Sequence, residues 1–312
     1  MAEKTAIRVG HLKITDHLIL GITKMKQDKG LETFNHCTID TAPYLGWNMV
    51  ADALARGEVN AAFMLAPTAM DLFKSGAPIR LVLFTHRTGS VLITNKRAGI
   101  KTLEDFRVKV VIIPYQLSVH HMLLHRMLAE AGLKPGSGKD PGVDVLLEVM
   151  APSQMPEAIQ YDEEGEVAGF IVAEPYGSQA VIEGYGEEFA LSKDLWPNHP
   201  CCVCVVREEL AEGAPDAVQE LVNSLVASGV SVGANPTAAA TLGSMFLGQK
   251  DEVLKRVLTQ PADRIKTTEL FPVIEDLATM QDYMHDHMTV LKSKIDLEKF
   301  VDTSFARQAG AK

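Results

Sequence analysis

Short apolar runs rich in β-branched residues alternate with helical periodicity through the first two thirds of the chain, and the alternation stops near Pro215. The runs Ala6–Leu12, Asn35–Thr41, Asn60–Leu65, Ile79–Phe84, Val91–Thr94, Val108–Ile113, Val143–Val149, Gly169–Ala173 and Cys201–Val206 read as strands. Several are apolar throughout, as expected of strands covered by helices on both faces. Between them, Asp16–Lys26, Asn48–Ala55, Ser118–Ala131 and Pro156–Tyr161 read as helices. That order predicts an α/β fold with mostly parallel sheets. Beyond Pro215 the pattern predicts helices only, over Ala217–Val232, Pro236–Leu247, Glu252–Leu258, Leu270–Leu291 and Leu297–Ala306, forming a C-terminal helical layer.

One stretch is written nearly twice. GEVNAAFMLAP, Gly57 to Pro67, matches GEVAGFIVAEP, Gly165 to Pro175, and the ungapped alignment extends to Gly76 and Gly184. The shared residues are Gly57/Gly165, Glu58/Glu166, Val59/Val167, Pro67/Pro175 and Gly76/Gly184. Each copy leaves a helix, crosses an apolar strand and turns at a proline into another helix. Convergent strand grammar accounts for part of this, but the shared place in the βαβ order favours two similar α/β lobes. Strand C-termini and helix N-termini are where open α/β sheets bind ligands, so two facing lobes make a cleft. A proline at a helix start leaves the other free N–H groups available to an anionic or polar group. Glu174 stands where the first copy has Ala66, and a carboxylate there either meets a ligand or pairs with a cation bridging the lobes.

Composition narrows the function. At 312 residues, 46% hydrophobic and 22% charged, the chain has room for two lobes and a substantial core. A net charge of −10 and the lack of a basic stripe interleaved with aromatics exclude general nucleic-acid binding, so small molecules or proteins are the expected partners. No apolar run reaches the roughly 18–20 residues that span a bilayer. Arg8, His11, Lys13 and Asp16 interrupt the N-terminal segment, which therefore does not read as a secretory leader. The expectation is either a cytoplasmic protein or a mature extracytoplasmic chain, periplasmic or membrane-anchored.

The reactive side chains fall in a few places. HPCCVC, His199 to Cys204, offers imidazole and thiols to a metal. In an extended strand Cys202 and Cys204 share one face while Cys201 points to the other, so buried thiols acting as small apolar groups, with no metal and no cofactor, are the expectation. His121 and His125 have the i,i+4 spacing of a helical metal pair but lack the H-E-x-x-H glutamate, so structural histidines are expected. KPGSGKDPG, Lys134 to Gly142, lacks phosphate-loop spacing and reads as a surface loop. No G-x-S-x-G elbow or pair of catalytic carboxylates stands out, so no catalytic residue is assigned.

Several segments together resemble the substrate-binding proteins of ABC importers for nitrate, sulfonate, taurine and bicarbonate, a superfamily shared with the thiamin-pyrimidine synthases. They are IRVGHLKITDHLIL, ARGEVNAAFMLAP with FKSGAPIRLVLF, KTLEDFRVKVVIIPYQLSVHHMLLHRMLAEAGLKP, GEVAGFIVAEPYGSQA and LWPNHPCCVCVVREE. The resemblance implies a type II periplasmic-binding-protein fold, with two α/β lobes, a ligand cleft between them and a C-terminal helical layer. On that template residues 1–95 begin lobe one, 96–200 form lobe two, and 201–312 return to lobe one and add the helices. It implies non-catalytic binding of a small oxyanion, sulfonate or organic solute by a monomer that delivers it to an ABC transporter permease. The alternatives are a cytoplasmic sensor of the same fold and a metal-dependent enzyme using Cys201–Cys204. Carried onto segment ends, the resemblance places ligand contacts at Lys13, Thr15, Trp47, Thr68, His86, Gln116, Ser118 and Glu174.

Overall fold

The computed structural model describes residues 4–312; residues 1–3, which open both the span 1–95 and the segment read for a leader, lie outside the described residues. The expected strands form two separate sheets. The first has five strands in the order Cys37–Pro43, Thr5–His11, Ala61–Leu65, Cys202–Arg207 and Ile79–Phe84. Its first three strands are parallel, and Cys202–Arg207 runs antiparallel to both of its neighbours. The second has six strands in the order Gly186–Leu191, Ser90–Asn95, Val167–Ala173, Val110–Ile113, Val145–Val149 and Pro135–Gly136. Here Ser90–Asn95 is the antiparallel strand and the last four are parallel. In each lobe, then, a strand arriving from the other lobe lies antiparallel beside one copy of the repeated stretch.

The chain crosses between the sheets twice, through Thr85–Gly89 and back through Trp196–Cys201 after the short helix Ser192–Leu195. Helices cover both faces of the first sheet, which is why Ala61–Leu65 is buried at every position. On one face Ile7, Phe63, Val82 and Val206 pack with the helices Leu18–Asp28, Pro215–Ala234 and Pro236–Leu247. On the other, Met64, Phe84, Val203 and Val205 join an apolar cluster that continues into the second lobe through Val91, Ile113 and Val172. The lobes therefore share a core at the crossing.

Some elements differ from the sequence reading. The helix expected over Leu270–Leu291 is confined to Ile274–Asp286, because Pro272 cannot donate the hydrogen bond a helix interior needs. Leu297–Ala306 divides into Leu297–Phe300 and Thr303–Gln308, the second capped by the Asp302 carboxylate, which accepts the Ser304 N–H at 2.9 Å. The first helix starts at Leu18 behind a 3-10 turn, Thr15–His17. The tail is not wholly helical either, since Ile265–Lys266 pairs antiparallel with Arg87–Thr88 of the first crossover. Val108, with φ 58 and 91% exposure, stays out of the strand that begins at Val110.

Candidate functional site

Three segments converge where the lobes meet: the turn after the first strand, the first crossover and the end of the second. They bring Asp16, His86, Cys201 and Cys202 together, all buried, with one metal-ligating atom from each lying within 4.8 Å of the others. His86 Nε2 is 3.0 Å from Asp16 Oδ2 and 3.2 Å from the Cys202 backbone nitrogen. Burial raises the Asp16 pKa. Burial pulls His86 down, but the Asp16 carboxylate opposes it and His86 ends up at about 10. A buried acid and base at this distance hold a proton between them near neutral pH. Asp16 Oδ1, His86 Nδ1 and the hydroxyls of Thr15 and Thr85 have no hydrogen-bond partner among the described residues. Buried polar atoms are rarely left so, and a group of them marks where an ion, a water or a ligand belongs.

The expectation that Cys201 faces away from Cys202 fails, because the strand starts at Cys202 and Cys201 lies in the crossover, where strand alternation does not apply. Cys204 instead packs in the apolar core of the first lobe, and burial pushes its thiol up to about 12. His121 and His125 each have a partner at Nδ1: His121 the Gln116 carbonyl at 2.8 Å and His125 the Tyr283 hydroxyl at 3.1 Å.

On the second lobe, Glu174 is fully buried and paired. Its carboxylate accepts the Ser178 N–H and hydroxyl, each at 2.8 Å, and Arg264 Nη1 at 2.8 Å. It is thus the bridging ion pair foreseen as the alternative to a ligand contact. Its carbonyl accepts the Thr15 N–H at 2.7 Å, and the Tyr176 hydroxyl donates to the Lys13 carbonyl at 3.1 Å, so two hydrogen bonds join the lobes along this seam. A third runs from the Thr68 hydroxyl to the Leu117 carbonyl at 2.8 Å. Ser118 caps the helix Val119–Glu130 by accepting the His121 N–H and donates to the Tyr115 carbonyl. Trp47 is 1% exposed, its ring against His17 and its indole N–H without a partner among the described residues. Gln116 is exposed, and it lines a different recess, roofed by residues 289–295.

Between the lobes, beside the first turn, lies a recess of ≈ 260 Å³ walled by Lys13, Tyr44 and Leu45 on one side and Pro152, Ser153 and Tyr176 on the other. The starts of Trp47–Ala55 and of the 3-10 turn Pro152–Gln154 flank it. The recess of ≈ 710 Å³ that holds Gln116 is larger; it borders the last turn of helix Ala66–Lys74 through Lys74 and Ser75 and, through Gln116 and Leu117, the segment leading into the Ser118-capped helix. The smaller recess is the one that Lys13 and Tyr176 wall. The structure thus groups Thr15 and His86 with the hinge cluster, Lys13 with the recess, Thr68 and Ser118 with the seam, and leaves Gln116 apart.

Sequence reasoning passes over Asp16 and Arg264: Asp16 reads as an ordinary first-turn acid and Arg264 lies in the helical tail. Tyr176, directly after the second copy's proline, offers a hydroxyl by its position but is not among the expected ligand contacts.

The model of the NMT1-like family matches residues 1–244 of the chain. The chain belongs to the NMT1-like family. Among curated relatives of this NMT1-like protein, the nitrate import ATP-binding protein NrtC of Synechocystis sp. is 32% identical over 239 residues, 72% of this chain. The chain spans about a third, 34%, of the length of that relative. Among solved structures, the ligand-binding component of an ABC-type import system from Staphylococcus aureus, with zinc bound, superimposes with a TM-score of 0.85 at 23% identity. That match covers 98% of this chain and 99% of the other. The periplasmic nitrate-binding protein NrtA from Synechocystis PCC 6803 gives a TM-score of 0.85 at 17% identity, covering 99% of this chain and 89% of its own. At these identities the likeness establishes the fold of the NMT1-like chain, the two-lobed periplasmic-binding-protein fold.

Proposed function

We propose that this NMT1-like protein binds a small anionic or polar solute between its lobes, without transforming it, as the solute-binding component of an ABC import system. The observation that carries this reading is the recess of ≈ 260 Å³ shared by both lobes, with Lys13 on one wall and Tyr176 on the other. Its volume suits a solute the size of an oxyanion or short sulfonate, and helix starts on both sides favour negative charge. Relatives and neighbours named for nitrate and sulfonate binding support the same class. Lys13 supplies a cation at the rim, and Thr15 and Glu174 hold the walls together through backbone hydrogen bonding. In this reading the mature protein is an extracytoplasmic monomer that meets a transporter permease. No helix among the described residues is long and apolar enough to cross a membrane.

One observation favours a second reading. The relative at 32% identity is named an ATP-binding protein of an importer, which supports a solute-sensing unit that acts on an ATP-binding subunit.

Both readings require a solute. Nitrate, bicarbonate, short alkanesulfonates and small heterocycles are to be screened by thermal shift, where a ligand at 100 times its Kd adds about 2.7 kcal/mol and moves Tm by several degrees. Lys13→Ala together with Tyr176→Phe is expected to abolish the shift while leaving the unliganded Tm within a few degrees. A screen without any shift refutes solute binding. Co-purification with the permease or with the ATP-binding subunit then separates the two readings.

A further inference from the structure

We propose that Asp16, His86, Cys201 and Cys202 form a binding site for a thiophilic divalent transition metal of the zinc class, set in the hinge and separate from the solute recess. Two thiols, an imidazole and a carboxylate are a donor set that zinc takes in tetrahedral coordination. With bonds of about 2.0–2.3 Å, tetrahedral ligand atoms stand about 3.3–3.8 Å apart. The four donors already lie within 4.8 Å of one another, so side-chain adjustments of the order of 1 Å close the shell.

The packing of the cluster points the same way. All four residues are at most 1% exposed. Asp16 Oδ1 and His86 Nδ1 are both buried without a partner among the described residues. A purely hydrogen-bonded cluster leaves those two atoms unmet. A cation takes a lone pair from the carboxylate, from one ring nitrogen of His86 and from each sulfur. On binding, each thiol gives up its proton to solvent and so does the Asp16–His86 pair, three protons in all, with no change of oxidation state. The ligands come from the turn after the first strand and from both crossovers, so the ion ties both crossovers to the first lobe. The inference stands whether or not the recess takes a solute.

The test uses the full chain, purified under reducing, oxygen-free conditions, stripped with a chelator and titrated with Co²⁺. Saturation at one equivalent with a thiolate-to-cobalt charge-transfer band, bleached by one equivalent of Zn²⁺, is expected. Cys201→Ser and Cys202→Ser should each lower the band to about half and the double variant should lose it, while Cys37→Ser and Cys204→Ser leave it intact. His86→Asn should weaken cobalt binding by more than the roughly 10–100-fold that loss of an outer-shell partner costs. X-ray absorption on zinc-loaded wild type needs no variant to fold, and should show two sulfur and two nitrogen or oxygen scatterers. A shell without sulfur, the absence of a charge-transfer band, or a band that persists in the double variant overturns the proposal.

Discussion

The two copies of the repeated stretch share their glycine turns and their strand, part at the proline, where Glu174–Pro175 is cis and the helix starts at Tyr176 instead of at the position matching Ala66, and carry their charge differently. Gly57 and Gly165 have φ of 72 and 67, and Gly76 and Gly184 have φ of 91 and 88, all in the region where a side chain is strained. Just past each strand, the backbone N–H donates to a crossover carbonyl, Ala66 to Cys201 and Glu174 to Gly89, both at 3.0 Å. The last strand residues, Leu65 and Ala173, pair with Cys202 and Ser90. Each of those partners in turn contacts a histidine, the Cys202 N–H with His86 at 3.2 Å and the Ser90 hydroxyl with His120 at 2.9 Å. The shared residues therefore specify the turns and the strand, and the helix starts differ. Where the copies differ, at Ala66 and Glu174, the second lobe carries a carboxylate of its own, whereas the first borrows Asp16 from a neighbouring turn.

The sharpest way to break this comparison is to make the second copy resemble the first. Glu174→Ala leaves Arg264, 1% exposed, with the partly exposed Glu188 as its one carboxylate partner among the described residues. A loss of about 3 kcal/mol in urea denaturation is expected, the lower end for breaking a buried pair, and adding Arg264→Met should recover much of it. A loss typical of a surface pair, about 0–1 kcal/mol, would show that the carboxylate carries no more than Ala66 does.

The two histidines should respond to pH with opposite sign. Burial lowers His120 to about 3, with no carboxylate among the groups acting on it. As pH falls below about 6.5 the unfolded chain takes up the proton first, so stability present at pH 7 is lost towards pH 3, about 2 kcal/mol of it by pH 5. In the metal-free protein His86, held at about 10 by Asp16 against the effect of burial, contributes stability that is complete below about 6.5 and is lost as pH rises through 10. Urea midpoints across pH should show the acid limb flattened in His120→Gln and the alkaline limb flattened in His86→Gln. Equal slopes in wild type and variants would remove the distinction.

A smaller effect compares the opening glycines. A Cβ on Gly57 meets nothing nearer than Arg207 at 3.6 Å, whereas on Gly165 it falls 2.7 Å from the Arg97 carbonyl oxygen. Gly57→Ala should cost about 1–2 kcal/mol, the strain of a left-handed residue, and Gly165→Ala measurably more. Equal costs in thermal denaturation would mean that the second lobe yields at that contact.

Much of this architecture could be read along the chain. Strands covered on both faces leave continuous apolar runs, so Ile79–Phe84 has the bounds its residues suggest and the others differ by a residue or two. Strand direction leaves no such trace, and the antiparallel course of Ser90–Asn95 and Cys202–Arg207 was not legible. Gly186–Leu191 escaped because it is an edge strand whose two glutamates are exposed. Of the site, Lys13, Thr15 and His86 could be placed because they follow strand ends. The cluster around Asp16 could not, because it depends on where a strand begins, and a shift of one residue reverses which thiols share a face. Arg264 is 90 residues from Glu174, and no local pattern joins them.

The ribbon that Ile265–Lys266 forms with Arg87–Thr88 gives the C-terminal layer a mechanical role. The first crossover is clasped: Gly89 N–H and the Thr88 hydroxyl both donate to the Arg264 carbonyl, and Arg87 reaches the Glu269 carbonyl and Asp276. Any torsion of that crossover is transmitted to residues 264–276, which must either shear away or swing with it as one unit. These residues lie past 244, beyond the stretch that the family model matches. The stiffness of the joint is thus set by the C-terminal layer, and a fusion or truncation there acts as a change of spring, not as the trimming of a tail.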